Sequence, residues 1–371
     1  MSKVKILGTG TLRSGGTLVS NILSISKKNH VFSEMIYYSR HMYKRYRSIN
    51  QNSTLNKYCS DFALRLKYKN NIKIEAKILF NFILKNKFKD FDDIHSLTLI
   101  YLLKYLKKNE AKNLIEYSNG EWRFIEKFLK MKETNKSFHV IRDPRAVISS
   151  FKKLTFHKGS DYWYPIFNWI DSYNHYEKLK KKFSEKKYLF LKFEDLHNNP
   201  KVSVKKILNF VNCKTPKNFN IKLWKKRLAI QNAYLNISAY DKKKKIGFSK
   251  KRINMWGLHL KDWEVSTIEY LCSNQMKKLG YEIDSKQDNS HIKKGLNFIK
   301  KNKKLKTRLA IYLKKGLGTH LRIDDPSKPE NWGSKINFGK KFINDENYKE
   351  FVLERAMVSK TYNFKRKNNK I

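Results

Sequence analysis

The chain has 371 residues, of which 40% are hydrophobic and 14% aromatic. That is enough apolar material for one large α/β domain with an extension, and it excludes wholesale disorder. The balance of 81 Lys and Arg against 32 Asp and Glu leaves a formal charge of +49, a field that attracts anions and repels cations. The Lys excess runs along the whole chain, so a compositional bias accounts for it as readily as a polyanionic partner does.

In chain order, Val4 to Leu7 reads as a short buried strand, followed by a Gly-rich turn from Gly8 to Gly16 and a helical run to about Lys28. Strand, loop and helix in that order form the first unit of an α/β fold. His30 to Phe32 reads as a second short strand, and residues 35–110, which lack Gly and Pro, read as helices. Within them, residues 72–84 carry Ile72, Ala76, Leu79, Phe80 and Ile83 at helical spacing. Further strands are expected at residues 114–115, 138–141 and 188–193. The last is apolar on both faces, as expected of a central parallel strand. Amphipathic helices are expected over 201–213 and 262–279, with Gly280 as a stop signal. Residues 292–323 hold eleven Lys or Arg and no Asp or Glu; a turn-rich stretch and a last helix over 346–361 follow. The expected fold is a parallel sheet flanked by helices, three layers α/β/α, over residues 1–285. A basic, mainly helical extension covers 286–371.

The three cysteines are far apart and none is near a His at metal-ligand spacing, so neither a zinc site nor a disulfide framework is expected. The opening residues already read as strand and loop rather than a signal peptide, and no apolar run is long enough to span a bilayer. A soluble cytoplasmic protein is the expectation.

The segment from Gly10 to Thr17, GTLRSGGT, nearly matches the GxxxxGK[ST] phosphate loop. Backbone N–H groups of such a loop and a helix N-terminus cradle an anion. Gly16 stands where a nucleotide triphosphatase has its Lys, and a cation, Arg13, lies inside the loop instead. A guanidinium there suits a terminal sulfonate held by paired hydrogen bonds. A second segment, FHVIRDPRAVISSF from residue 138, is a strand leading into a helix. Asp143 is placed to cap that helix and Pro144 to open it. Taken by itself this segment is simply a well-capped helix with Arg142 and Arg145 in solvent. The loop alone leaves open a nucleotide kinase or a non-catalytic polyanion binder, although no finger, helix-turn-helix or RNA motif points to a specific nucleic acid.

Together the two segments resemble the sulfotransferases that use 3′-phosphoadenosine 5′-phosphosulfate (PAPS), with the glycan and tyrosine branches the most similar. LRSGGTLVSNIL resembles that family's 5′-phosphosulfate loop, and the resemblance implies contacts from Arg13, Ser14, Gly15, Gly16, Thr17 and Leu18. Arg142 and Ser150, eight positions apart, match the 3′-phosphate motif. FLKFEDL is similar to the family's YEDL strand, and IGFSKKRINMWGLHL and MKKLGYE to closing segments of bacterial members. By resemblance Lys251 and Arg252 are further candidates for the 3′-phosphate, and the likeness extends over about residues 4–283. The implied reaction is in-line transfer of a sulfuryl group to a hydroxyl with a general base, leaving adenosine 3′,5′-bisphosphate (PAP) and requiring no metal. Glu34, twenty-one residues past Arg13, is the expected base, with His41 as the alternative. Tyr117 stands where relatives carry a Lys that aids the leaving group. A carbohydrate acceptor is expected, and the basic tail offers contact with an acidic glycan or a membrane surface.

Overall fold

The computed structural model describes residues 3–33, 42–43, 46–49, 52–70, 72–154, 159–216, 248–283 and 288–320. Glu34, His41 and the expected helix over 346–361 lie outside the described residues.

Five parallel strands form one sheet: β1 (Val4–Gly10), β2 (Asn29–Ser33), β3 (Asn113–Tyr117), β4 (Lys136–Ile141) and β5 (Tyr188–Lys192), in the order β2-β3-β1-β4-β5. Twelve α-helices accompany them among the described residues: α1 (Gly16–Leu23), α2 (Asn52–Asn70), α3 (Ala76–Leu84), α4 (Phe91–Tyr105), α5 (Ile125–Met131), α6 (Pro144–Leu154), α7 (Tyr164–Lys180), α8 (Phe193–Asn198), α9 (Pro200–Phe210), α10 (Asp262–Lys278), α11 (Asn289–Lys300) and α12 (Lys303–Lys315).

Alternation along the strands divides the core between the two faces of the sheet. Ile6 packs with Val19, Ile22, Val204 and Ile207 of α1 and α9, while its neighbour Leu7 packs with Phe62, Leu79, Leu102 and Trp122 across the other face. The result is the expected three-layer arrangement. β5 departs from expectation: it is an outer strand of the sheet, paired with β4 alone among the described residues. Its two-sided apolar character reflects helices covering both faces rather than a central position. The helix expected from residue 72 begins at Ala76. α10 ends at Lys278, and Gly280 follows with φ 68, the left-handed conformation that favours glycine at a helix stop.

A third cluster joins Val147, Phe167, Trp169 and Leu271 to Ile299, Leu305 and Leu309 of the basic helices α11 and α12. Their lysines face outward while an apolar stripe at helical spacing is buried.

His139 on β4 is fully buried and bonds Tyr188 Oη at 2.7 Å and Ser172 Oγ at 2.6 Å. Burial, with a smaller contribution from His175, pushes its pKa from 6.5 down to about 3. The unfolded chain therefore takes up a proton between those values that the folded chain refuses. Stability should fall with acidification across that window, at about 1.4 kcal/mol per pH unit for this residue. In urea titrations at pH 7, 5.5 and 4.5, the gap between wild type and His139→Gln should narrow as pH falls. A constant gap would show that this imidazole does not govern the acid response.

Candidate active site

β1 delivers the chain into the loop 11–15 at the carboxyl edge of the sheet, where α/β folds collect their ligands. Arg13 holds φ 69 and Gly15 φ 97, and α1 opens at Gly16 without an acidic residue in its first turn. A non-glycine residue in the left-handed region costs on the order of 1–3 kcal/mol and persists where the surroundings over-determine it. Ser14 N donates to Thr11 O at 3.3 Å, and the Thr11 and Ser14 hydroxyls bond to each other. A Cβ at Gly16 would lie 1.7 Å from Cζ of Tyr117, so the buried Tyr117 ring occupies the space that the missing Lys of a triphosphatase loop would enter. The Tyr117 hydroxyl donates to Asn119 Oδ1 at 3.1 Å.

The second segment meets the first directly. Arg13 Nε donates to Ser150 Oγ at 2.9 Å, and Arg142 Nη1 donates to the Arg13 carbonyl at 3.1 Å. Arg142 Nη2 reaches the Arg252 carbonyl at 3.1 Å, and its guanidinium lies 4.2 Å over the Phe193 ring. Arg142 is only 6% exposed, and its Nε has no hydrogen-bond partner among the described residues. A buried cationic donor left in that state is costly unless an anion completes it.

Nearby carboxylates are turned to structural tasks. Asp143 accepts from the Arg145 amide at 2.8 Å, the cap expected of it, and also holds the Arg145 side chain. Arg145 is not in solvent: it is 4% exposed, bonds Glu269 at 2.7 Å and lies over Trp256. Glu194, in the FEDL segment, accepts from Asp143 N at 3.0 Å and from the Tyr281 hydroxyl at 2.8 Å. Burial raises its carboxyl pKa, against the opposing hydrogen bond from the Asp143 amide. His197 Nδ1 accepts from Ser249 N at 2.9 Å, fixing the turn that carries Arg252. Burial and the adjacent Arg252 and Arg142 push that imidazole down to about 3, so it stays neutral and keeps its acceptor. Trp169 Nε1 donates to the Arg142 carbonyl at 2.7 Å.

Of the residues singled out in the sequence, Arg13, Arg142, Ser150 and Arg252 are thus joined in one hydrogen-bonded cluster. Ser14 and Gly16 are buried in the loop, Gly15 and Leu18 are half-buried, and Thr17 is exposed at the start of α1. Lys251 is exposed on the same turn as Arg252. Phe193, His197, Trp169 and Tyr281, which support this cluster, were not singled out in the sequence. FEDL and LGYE were the available signals, but their pairing is visible only in three dimensions.

A sequence model described as the sulfotransferase family matches residues 5–217. A search of curated proteins finds no match. Among solved structures, the sulfotransferase domain of the Synechococcus PCC 7002 olefin synthase is similar at 13% identity and TM-score 0.48, over 76% of this chain and 97% of that one. The sulfotransferase domain from the curacin biosynthetic pathway is similar at 14% identity and TM-score 0.47, over 76% of this chain and 99% of that one. Retinol dehydratase in complex with retinol and PAP follows at 16% identity and TM-score 0.38, over 77% and 84%.

Proposed function

This chain belongs to the sulfotransferase family, and from that premise we propose that it moves the sulfuryl group of PAPS to a carbohydrate hydroxyl. The observation that carries this reading is the Arg13 Nε to Ser150 Oγ bond of 2.9 Å, which joins the loop to the 3′-phosphate motif. Residues 13–18 receive the 5′-phosphosulfate through backbone N–H groups and the Arg13 side chain. Arg142, Ser150 and the turn bearing Lys251 and Arg252 receive the 3′-phosphate. The acceptor oxygen attacks sulfur in line as the bond to the bridging phosphate oxygen breaks, and PAP leaves with the electron pair. Arg13 steadies the charge that develops on the bridging oxygen.

Glu34 takes the acceptor's proton. In the sequence it directly follows Ser33, and Ser33 ends β2 at the same carboxyl edge of the sheet from which the loop leaves β1. The outward lysines of α11 and α12 suit recruitment of an acidic glycan. The same face also suits an anionic membrane surface, and no helix among the described residues is long and apolar enough to cross one. The three free, buried cysteines suit a reducing cytoplasm.

The test is a screen of glycan, tyrosyl-peptide and small-alcohol acceptors with ³⁵S-labelled PAPS. Wild type should label a glycan. Glu34→Gln should lower kcat by about 100-fold or more while PAP affinity is kept. Labelling confined to peptides or small alcohols would overturn the carbohydrate assignment, and full activity in Glu34→Gln would overturn the base.

A further inference from the structure

After α12 the chain turns at Gly316 and runs back along α7. A Cβ at Gly318 would lie 2.1 Å from the Asp171 backbone nitrogen, so only glycine fits there. Thr319 N donates to Phe167 O at 3.1 Å. Arg308, 4% exposed, donates to Thr319 Oγ1 at 2.7 Å, Thr319 O at 2.5 Å, Asn168 Oδ1 at 2.6 Å and Tyr164 O at 2.9 Å. Burial pulls its guanidinium pKa down to about 10. Burying a guanidinium is costly unless its donors are matched, and two of the four matched bonds hold Thr319.

This anchoring fixes the next residue. The His320 ring stands edge-on to the buried Trp122, with centroids 4.7 Å apart, and its Nε2 is 3.2 Å from where a Cβ on Gly120 would be. The loop it touches crosses the carboxyl end of β1, since Gly120 N donates to Gly10 O at 3.1 Å and Ser118 N to Gly8 O at 3.0 Å. His320 is therefore placed one short loop away from the start of the phosphate-type turn. β3 flanks β1 on one side, and β4, which leads to Arg142, flanks it on the other. If the nucleotide occupies the β4 side, in-line attack on sulfur comes from the β3 side.

We infer that residues 316–320 wall the acceptor side of the cleft and that His320 contacts the acceptor there. The inference rests on the sulfuryl-transfer reading above, and its test separates the two. Full-length wild type, His320→Ala and His320→Asn are compared by calorimetric PAP binding and by initial rates of ³⁵S transfer to unsulfated heparosan. Hydrolysis of labelled PAPS to free sulfate without any acceptor is measured in parallel. PAP affinity should stay within about twofold of wild type in both variants, because the nucleotide lies on the other side of β1. His320→Ala should raise the heparosan KM about tenfold with a smaller change in kcat, and His320→Asn should recover part of that loss. Acceptor-free hydrolysis should rise several-fold in His320→Ala as water enters the opened space. Unchanged KM and unchanged hydrolysis would overturn the inference, as would a parallel loss of PAP affinity. Failure of wild type to sulfate heparosan would count against the carbohydrate acceptor, and the hydrolysis rates would still decide the place of His320.

Discussion

Replacing Arg13 with Ala is expected to abolish measurable transfer and to weaken PAP binding. Arg13 is the cation inside the loop, its Nε is bonded to Ser150 Oγ at 2.9 Å, and its carbonyl accepts from Arg142. In the proposed reaction the side chain therefore serves both the transferring group and the junction between the two motifs. Loss of one preorganised donor to developing oxyanion charge lowers kcat by about 10²–10³, and loss of a charge-assisted hydrogen bond weakens binding by about 1.5–3 kcal/mol. Because Arg13 sits at φ 69, Ala keeps the β-carbon that Arg already holds in the left-handed region, whereas Gly removes it. Arg13→Gly is a second control that relieves this strain: transfer should be lost to the same extent while thermal stability is kept or improved. Arg13→Lys should retain the charge without the fork and fall between. Initial rates with labelled PAPS check this series, and wild-type turnover in Arg13→Gly would remove Arg13 from the chemistry.

The second large effect is expected at Gly16. An added methyl would meet Tyr117 Cζ at 1.7 Å and Oη at 2.0 Å. Tyr117 is 2% exposed, stacks on Phe138 at 6.0 Å and is bonded to Asn119, so the ring has little room to withdraw. Overpacking of this kind costs about 1–3 kcal/mol, and here it also pushes the loop off its anion-binding curl. Gly16→Ala should lower the melting temperature by several degrees and weaken PAP binding tenfold or more. Adding Tyr117→Leu should restore much of both, because the clash is with that ring. Gly16→Lys should give no ATP affinity, since the Lys has no path past Tyr117. Full PAP affinity in Gly16→Ala, or no recovery in the double variant, would contradict this reading of the loop.

The parts legible in the sequence are those encoded locally. Strands β1, β3 and β4 are short apolar runs bounded by turn residues, and the two anion motifs are contiguous segments with fixed internal spacing. Asp143 as a cap needs only its neighbours to be recognised. What escaped was encoded by pairing across distance. Nothing near Glu194 announces Tyr281, 87 residues on, as its partner, and nothing near His197 announces Ser249. The outer position of β5 was hidden because hydrophobicity reports covered faces and not the number of neighbouring strands. In α11 and α12 the lysines dominate composition and conceal the stripe of Ile292, Ile299, Leu305 and Leu309 that docks both helices. Arg308 was similarly lost among solvent-facing cations until its four hydrogen bonds placed it inside.

The most direct test is calorimetric binding of PAP and of 5′-AMP to the full chain in EDTA, with wild type and Arg142→Ala side by side. Two anchors gripping opposite ends of one nucleotide require wild type to prefer PAP over 5′-AMP by about 100-fold, a 2.7 kcal/mol contribution from the second phosphate. That preference should vanish in Arg142→Ala while 5′-AMP affinity is nearly kept. Equal affinity of the wild-type chain for the two nucleotides would contradict it.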